Sequence, residues 1–378
     1  MINKRHFAGA ALVAAVAISL TACAGSSGSS TSAMGAATAK SAADLGGMDA
    51  LVAAANAEGQ LNVIALPPSW ANYGAIIAGF EKKYPKVTIN SANPDGSSAD
   101  EVSAAKAQKG QDTAPDVFDL GTAVLQANLG LVAPYQVANW ADIPADFKDP
   151  AGAWYYDYTG LMSVGYDSSV IKTAPTSIKD LLGSAYNGKV AIKGDPTQTN
   201  EAASAVYLAA LQNGGTTADI QPGVDFFQKL KQAGNFLAVT PSQATVVSGE
   251  TPVVIQWSYN NLAWGAPAGS AGNPNFKTVV LPGTALGSYY NQAINVDAPH
   301  PAAARLWEEY IYSPEVQNLF LAAGAYPATL AVMDTNKTVD ATVLATVGAA
   351  PKDFVQLTAA QAKAAATLLT SKWAAAIG

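Results

Sequence analysis

From residue 44 the chain alternates short apolar strands with helices, and this alternation narrows the available folds more than any other feature. A helix is predicted over 49–57, stopped at Glu58-Gly59, and 61–66 reads as a short apolar strand. The loop 67–73 opens into a helix that runs to Tyr84. Then come a strand at 86–90, a helix at 101–109, a third strand at 116–120 and a helical stretch at 121–129. The pattern restarts after 155–159. Strands are predicted at 160–166, 189–192, 252–257 and 278–281. Helices are predicted from 178–182, over 200–213, 224–233, 302–312, 314–323 and 359–377. Strands separated by helices of this length imply right-handed βαβ units and mostly parallel sheets. A chain of 378 residues is too long for one ordinary core, so two lobes are expected.

Cys23 is the only cysteine. A charged start (Lys4, Arg5) and an apolar run from Phe7 to Leu20 precede it, the layout of a secretory signal. That run is short for a bilayer span, which takes about 20 apolar residues, and no later run is long enough. Leu20-Thr21-Ala22-Cys23 resembles a bacterial lipobox, in which the cysteine is acylated and becomes the new N-terminus. The expected organisation is a cleaved signal over 1–22 and a flexible Gly/Ser/Ala tether over 23–45, on a lipid-anchored protein facing outward from the cytoplasmic membrane. No disulfide can form within the mature chain, so a large core must hold it. The formal charge is −7 and grows more negative once Lys4 and Arg5 leave with the signal. Nucleic acid selects clustered Lys and Arg, so it is not an expected partner.

Several local stretches coincide with one family. The segment 53–64 resembles the helix, Glu-Gly turn and first strand that open many solute-binding proteins. GFEKKYPKV over 79–87 resembles their passage from helix to second strand, and Ala114-Pro115-Asp116-Val117 the start of their third. Ala298-Pro299-His300-Pro301, with the helix that follows and Ser313-Pro314-Glu315-Val316-Gln317, resembles a later segment of extracellular solute-binding proteins. In this order, behind a lipobox, they resemble a substrate-binding lipoprotein of an ABC importer with the two-lobed type II fold. The likeness is strongest to spermidine- and putrescine-binding members, with ferric-ion-binding relatives close behind. It implies an α/β fold with a mostly parallel sheet flanked by helices in each lobe. One lobe would hold 46–160 and 284–330, the other 161–283 and 331–378, with hinge crossings near Tyr158-Thr159 and Pro282-Gly283. Membrane permease subunits would be the partners, the protein a monomer, and no cofactor or metal is expected.

Ligands of open α/β sheets bind beyond the carboxyl ends of strands. That rule selects the loops 67–73, 93–98, 119–122, 194–201 and 257–261 and the crossing at 288–291. Within them the residues expected at the ligand are Ser69, Trp70, Tyr73, Asp119, Asp195, Thr197, Thr199, Trp257, Tyr259, Tyr289 and Tyr290. Trp70, Trp257 and Tyr259 would wall an aliphatic or cationic ligand. Tyr289 and Tyr290 are adjacent, so at most one of them faces a cleft. A polyamine-like amine needs carboxylates, for which Asp119 and Asp195 are the candidates. Trp257-Ser258-Tyr259 lacks the acid that polyamine binders usually carry two residues after a tryptophan there. A ferric ion would instead draw on Tyr155-Tyr156 and Tyr289-Tyr290. A phosphonate or sugar phosphate would use a helix N-terminus such as that near Thr199-Asn200. His300, between two prolines, is expected to be structural.

No enzyme is expected. Ser169-Val170-Ile171-Lys172 matches Ser-x-x-Lys, the remote case for a serine hydrolase of the cell envelope, but its partner motifs are absent. Gly-x-Ser-x-Gly, His-Glu-x-x-His and Walker sequences are also absent.

Overall fold

Leu61, Val63 and Ile64 are buried along β1 (Gln60–Ile64), which pairs in parallel with β2 (Thr88–Ala92). The structure, a computed structural model, describes residues 35–265, 271–351 and 354–378. Helix α1 (Met48–Glu58) precedes β1, and α2 (Tyr73–Lys83) links it to β2 as the crossover of a βαβ unit. Helix α3 (Ser98–Ala107) starts on a capping box made by Ser97 and Asp100. It leads to β3 (Val117–Gly121), the short α4 (Thr122–Gln126) and β4 (Val132–Ala133).

The second lobe comprises β6 (Val190–Ile192), α5 (Asn200–Gln212), α6 (Gln221–Gln232), α7 (Gln243–Val247), β7 (Val253–Trp257), α8 (Ser258–Trp264) and β8 (Phe276–Val279). Two long strands join the lobes: β5 (Tyr155–Asp167) and β9 (Ala285–Asn295). Residues 162–166 of β5 pair with β7, while 155–161 pair with β9; β9 in turn pairs with β3 over 290–294. The expectation of parallel pairing holds for β1–β2 and β6–β7. Every antiparallel pairing between these strands involves β5 or β9, because a chain that crosses and returns must run in opposite directions. The crossing expected at Tyr158-Thr159 falls inside β5. The one expected at Pro282-Gly283 falls instead along β9, a strand the sequence does not announce.

Helices α9 (Pro301–Ile311) and α10 (Pro314–Ala322) return to the first lobe, followed by β10 (Tyr326–Pro327), α11 (Leu330–Asn336) and α12 (Ala341–Val347). His300 precedes α9, where its Nδ1 lies 2.9 Å from Asp116 Oδ2 and its N–H donates to Asp116 Oδ1 at 2.7 Å. Residues 331–347, expected in the second lobe, lie against α10 in the first: Asn318 Nδ2 donates to Thr338 O at 2.8 Å, and Asn318 Oδ1 accepts Asp340 N–H at 2.7 Å. The chain then crosses through β11 (Phe354–Val355) to α13 (Ala359–Ile377), whose Trp373 packs on Phe227 of α6.

Residues 35–45, expected to be part of the tether, are packed instead. Ala36, Ala39 and Ala42 are buried against the first lobe. Arg305, 1% exposed, donates from Nε to Ala39 O at 2.9 Å and from Nη2 to Ala37 O at 3.0 Å, and Gln136 N–H donates to Lys40 O at 2.7 Å. Alanines small enough to pack, and a buried guanidinium that needs acceptors, turn a low-complexity stretch into a strap. Cys23, the signal and residues 23–34 lie outside the described residues. No described helix is long and apolar enough to cross a membrane.

Candidate functional site

Between the lobes lies a cleft of about 300 Å3. The first lobe contributes Ala65, Pro67 and Trp70 from the loop after β1, Asp95 to Ser98 and Glu101 at the start of α3, and Asp119 on β3. The second contributes Lys193 and Gly194 after β6, Thr199 to Glu201 at the start of α5, and Thr240 to Ser242. Tyr290 of β9 lies between them. A chamber of about 360 Å3 adjoins the cleft past Thr199 and Asn200.

Trp70 is held by its backbone and by its ring. Ala65, Ala71 and Asn72 around it have φ of 57°, 44° and 67°, a left-handed geometry costly to side chains with a Cβ. The indole Nε1 donates to Tyr158 OH at 2.6 Å, and the ring meets Tyr259 and Tyr290 edge-on, each at 5.5 Å. Tyr158 OH donates in turn to Asp119 Oδ2 at 2.8 Å. Tyr73 OH donates to the same oxygen at 3.0 Å and accepts Gln292 Nε2. The other amide hydrogen of Gln292 goes to Asp157 Oδ2 at 2.8 Å. Asp119 therefore stands on a base of two tyrosines anchored to β5 and β9.

Asp119 is 7% exposed, and its Oδ1 has no hydrogen-bond partner among the described residues. Burial raises its pKa to about 7 against the pull of the two tyrosine hydroxyls. Glu201, in the first turn of α5, is 2% exposed. Its Oε1 accepts Trp257 N–H at 2.9 Å and Asn260 Nδ2 at 3.0 Å, while Oε2 has no partner among the described residues. Burial raises this carboxyl to about 7 as well. Glu101, which accepts Asp119 N–H at 3.0 Å, is held well above the usual carboxylate range by burial. Among the described residues Lys193 is the one cation on the cleft wall; its Nζ donates to Pro241 O at 3.2 Å and lies over the Trp264 ring at 5.5 Å.

Of the residues expected at the ligand, Trp70, Asp119, Thr199 and Tyr290 line the cleft. The others do not. Ser69 lies off the wall, and Tyr73 is fully buried beneath Asp119. Asp195 is exposed and closes a turn on itself, its Oδ1 accepting Thr197 N–H at 2.7 Å and Thr197 Oγ1 at 2.8 Å; Thr197 faces the adjoining chamber. Trp257 and Tyr259 are at most 1% exposed because 258–264 is helix α8 rather than an open loop. Tyr289 turns away and stacks on Tyr156 at 5.0 Å, as strand alternation requires once Tyr290 faces the cleft. Ser169 and Lys172 form a surface turn in which Lys172 Nζ donates to Ser169 O. Sequence reasoning passed over Glu201, Glu101 and Lys193. The strand-end rule had selected the loop that ends in Glu201, but a first-turn acid reads as a dipole partner rather than as a cleft wall. Among the described residues, no group of three or more His, Cys, Asp or Glu is arranged to hold a metal.

The family model for bacterial extracellular solute-binding proteins matches residues 113–350, more than half of the chain. The chain belongs to this family. It is the extracytoplasmic solute-binding component of an ABC importer, and its two-lobed fold is that of periplasmic binding proteins. The periplasmic binding protein P5PA superposes with a TM-score of 0.65 at 18% identity, over 85% of this solute-binding protein and 100% of that chain. AfuA from Actinobacillus pleuropneumoniae, with exogenous fructose-6-phosphate bound, gives 0.64 at 19%, over 84% and 98%. A periplasmic thiamin binding protein gives 0.63 at 17%, over 84% and 96%. At such identities the likeness is one of fold. No curated protein sequence matches the chain.

Proposed function

We propose that the cleft captures a small cationic, amine-bearing solute and that lobe closure presents it to a membrane permease. One observation carries this reading: each lobe brings a buried carboxyl with an unpartnered oxygen, Asp119 Oδ1 and Glu201 Oε2, to the same cleft. A buried carboxylate without a partner costs several kcal/mol unless it takes a proton or meets a cation. An ammonium at each end of a short aliphatic chain answers both oxygens at once, and Trp70 and Tyr290 offer it aromatic faces. The acid missing after Trp257 in the sequence is supplied in space by Glu201, whose carboxylate sits on the Trp257 N–H.

The helix starts of α3 and α5 favour anions in principle. Both are already answered by their own acids, Asp100 and Glu101 on α3 and Glu201 on α5. A phosphate entering the cleft would meet Asp95, Glu101, Asp119 and Glu201 with Lys193 alone in its favour. A tyrosinate iron site gains no support, since Tyr289 turns away and burial pushes the Tyr290 hydroxyl up, against ionisation.

The test is a thermal-shift panel of putrescine, spermidine, fructose 6-phosphate, aminoethylphosphonate and ferric citrate at pH 8. A ligand at 100 times its dissociation constant adds about 2.7 kcal/mol, so its melting shift is visible. Shifts by the two amines alone are expected, and a shift by an anion or by iron in their place would overturn the amine reading. Lipidation at Cys23 is part of the proposal, and about a dozen residues separate Cys23 from the strap. Cys23→Ser is expected to move the protein from the membrane fraction; a chain that stays there with its signal cleaved would contradict the anchor.

A further inference from the structure

Gly121 ends β3 at the edge where the first lobe faces the second. Its backbone, φ −61° and ψ 141°, is ordinary extended geometry that any residue adopts, and its N–H is used, donating to Ser98 Oγ at 3.0 Å. Conformation therefore does not ask for glycine here. Space does. A Cβ on Gly121 would stand 2.7 Å from Asn200 Cβ and 3.0 Å from Asn200 Cγ. Asn200 opens α5 in the other lobe, and its Nδ2 reaches Ser288 Oγ on β9 at 3.4 Å, so its side chain rests on the strand that joins the lobes. It also stands at the border between the cleft and the adjoining chamber.

We infer that the Gly121–Asn200 contact is the stop that sets how far the lobes close, and that the absent side chain at 121 is what admits the closed state. Carbon atoms pack at about 3.5–4.0 Å, so a methyl group at 121 needs roughly 1 Å more room. Asn200 Cβ cannot yield by rotating about a side-chain bond, because its place is fixed by the helix backbone. The relief lies in opening the hinge. In an open arrangement the same methyl group meets nothing across the cleft, so the substitution acts on the closed state alone and shifts the population away from it. This inference holds for any cargo, amine or not.

The contact is tested without a ligand. Lys106 on α3 and Gln198 on the loop before α5 stand on opposite lobes around the adjoining chamber, and both are exposed. Spin labels on Lys106→Cys and Gln198→Cys, in the full chain with Cys23→Ser, report the separation of the lobes by pulsed electron resonance. The empty protein is expected to show a short-distance population. Gly121→Ala should remove it with the melting temperature kept within a few degrees, and Asn200→Gly added to Gly121→Ala should restore it. A short-distance population that survives Gly121→Ala, that is missing from the parent, or that Asn200→Gly fails to restore would overturn the inference.

Discussion

Asp119→Asn combined with Glu201→Gln is expected to weaken putrescine binding at least about a hundredfold and, in the same protein, to raise the melting temperature of the empty form at pH 8. Removing one partner of a buried, hydrogen-bonded charge pair costs about 2–5 kcal/mol, so two such losses make a hundredfold a lower figure. Shape is kept. An amide oxygen at 119 still accepts from Tyr73 and Tyr158, and one at 201 still accepts Trp257 N–H and Asn260. What changes is the unpartnered atom, from an acceptor to an –NH2 that repels an ammonium. Stability moves the other way because an amide needs no proton when buried. Calorimetric titration and melting curves on parent and variant read both effects. Unchanged putrescine affinity in a folded variant would remove these carboxyls from the site.

The pH dependence has a sign fixed by the same groups. Asp119 and Glu201 lie near 7 in the folded chain against ordinary values of 3.8 and 4.5. The folded state thus holds protons that the unfolded chain has released between roughly pH 4 and pH 7. Stability falls as pH climbs through that window. Burial moves Glu101 and Asp157 in the same direction. His300 adds to the trend, since Asp116 raises its pKa and that contribution fades as pH rises past it. The empty protein is therefore expected to melt several degrees higher at pH 5 than at pH 8. A cationic ligand needs the carboxyls ionised, so its stabilisation should behave oppositely, large at pH 8 and lost toward pH 5. Each unit below 7 costs about tenfold per carboxyl contacted. A putrescine shift that stays level across this range would mean that neither carboxyl meets the amine.

Much of the fold was legible because it is written in apolar periodicity. Strands β1, β3, β6 and β7 are mostly apolar, and the helices α5, α9, α10 and α13 appear where the pattern puts them. Strand β9 was not legible. Its Asn291, Gln292 and Asn295 are buried polar residues that read as loop, and they are tolerated because Asn291 Nδ2 finds Leu120 O at 2.8 Å and Asn295 Nδ2 finds Pro115 O at 2.7 Å. A hydrogen-bond partner more than a hundred residues away leaves no local signal. The same holds for the site. Trp70 and Asp119 follow from the strand-end rule, whereas Trp257 and Tyr259 were misread because helix α8 follows β7 without a break and seals both rings inside. Thr240 to Ser242 reach the cleft from a segment that follows no sheet strand, so no rule pointed to them.

The strap that Arg305 clasps has a mechanical side. Ala37 and Ala39 are held by a side chain of α9, and Lys40 O is bonded from Gln136, so every fastening described for this segment belongs to the first lobe. A pull on the chain from the proposed anchor would therefore reach the first lobe through these contacts. The two leaves are then unequal. With the proposed anchor at Cys23, one would be fixed to the frame, and the other, with Glu201 at its edge, would do the swinging. A docking permease would meet a stationary face in a defined place and would have to wait only for the second.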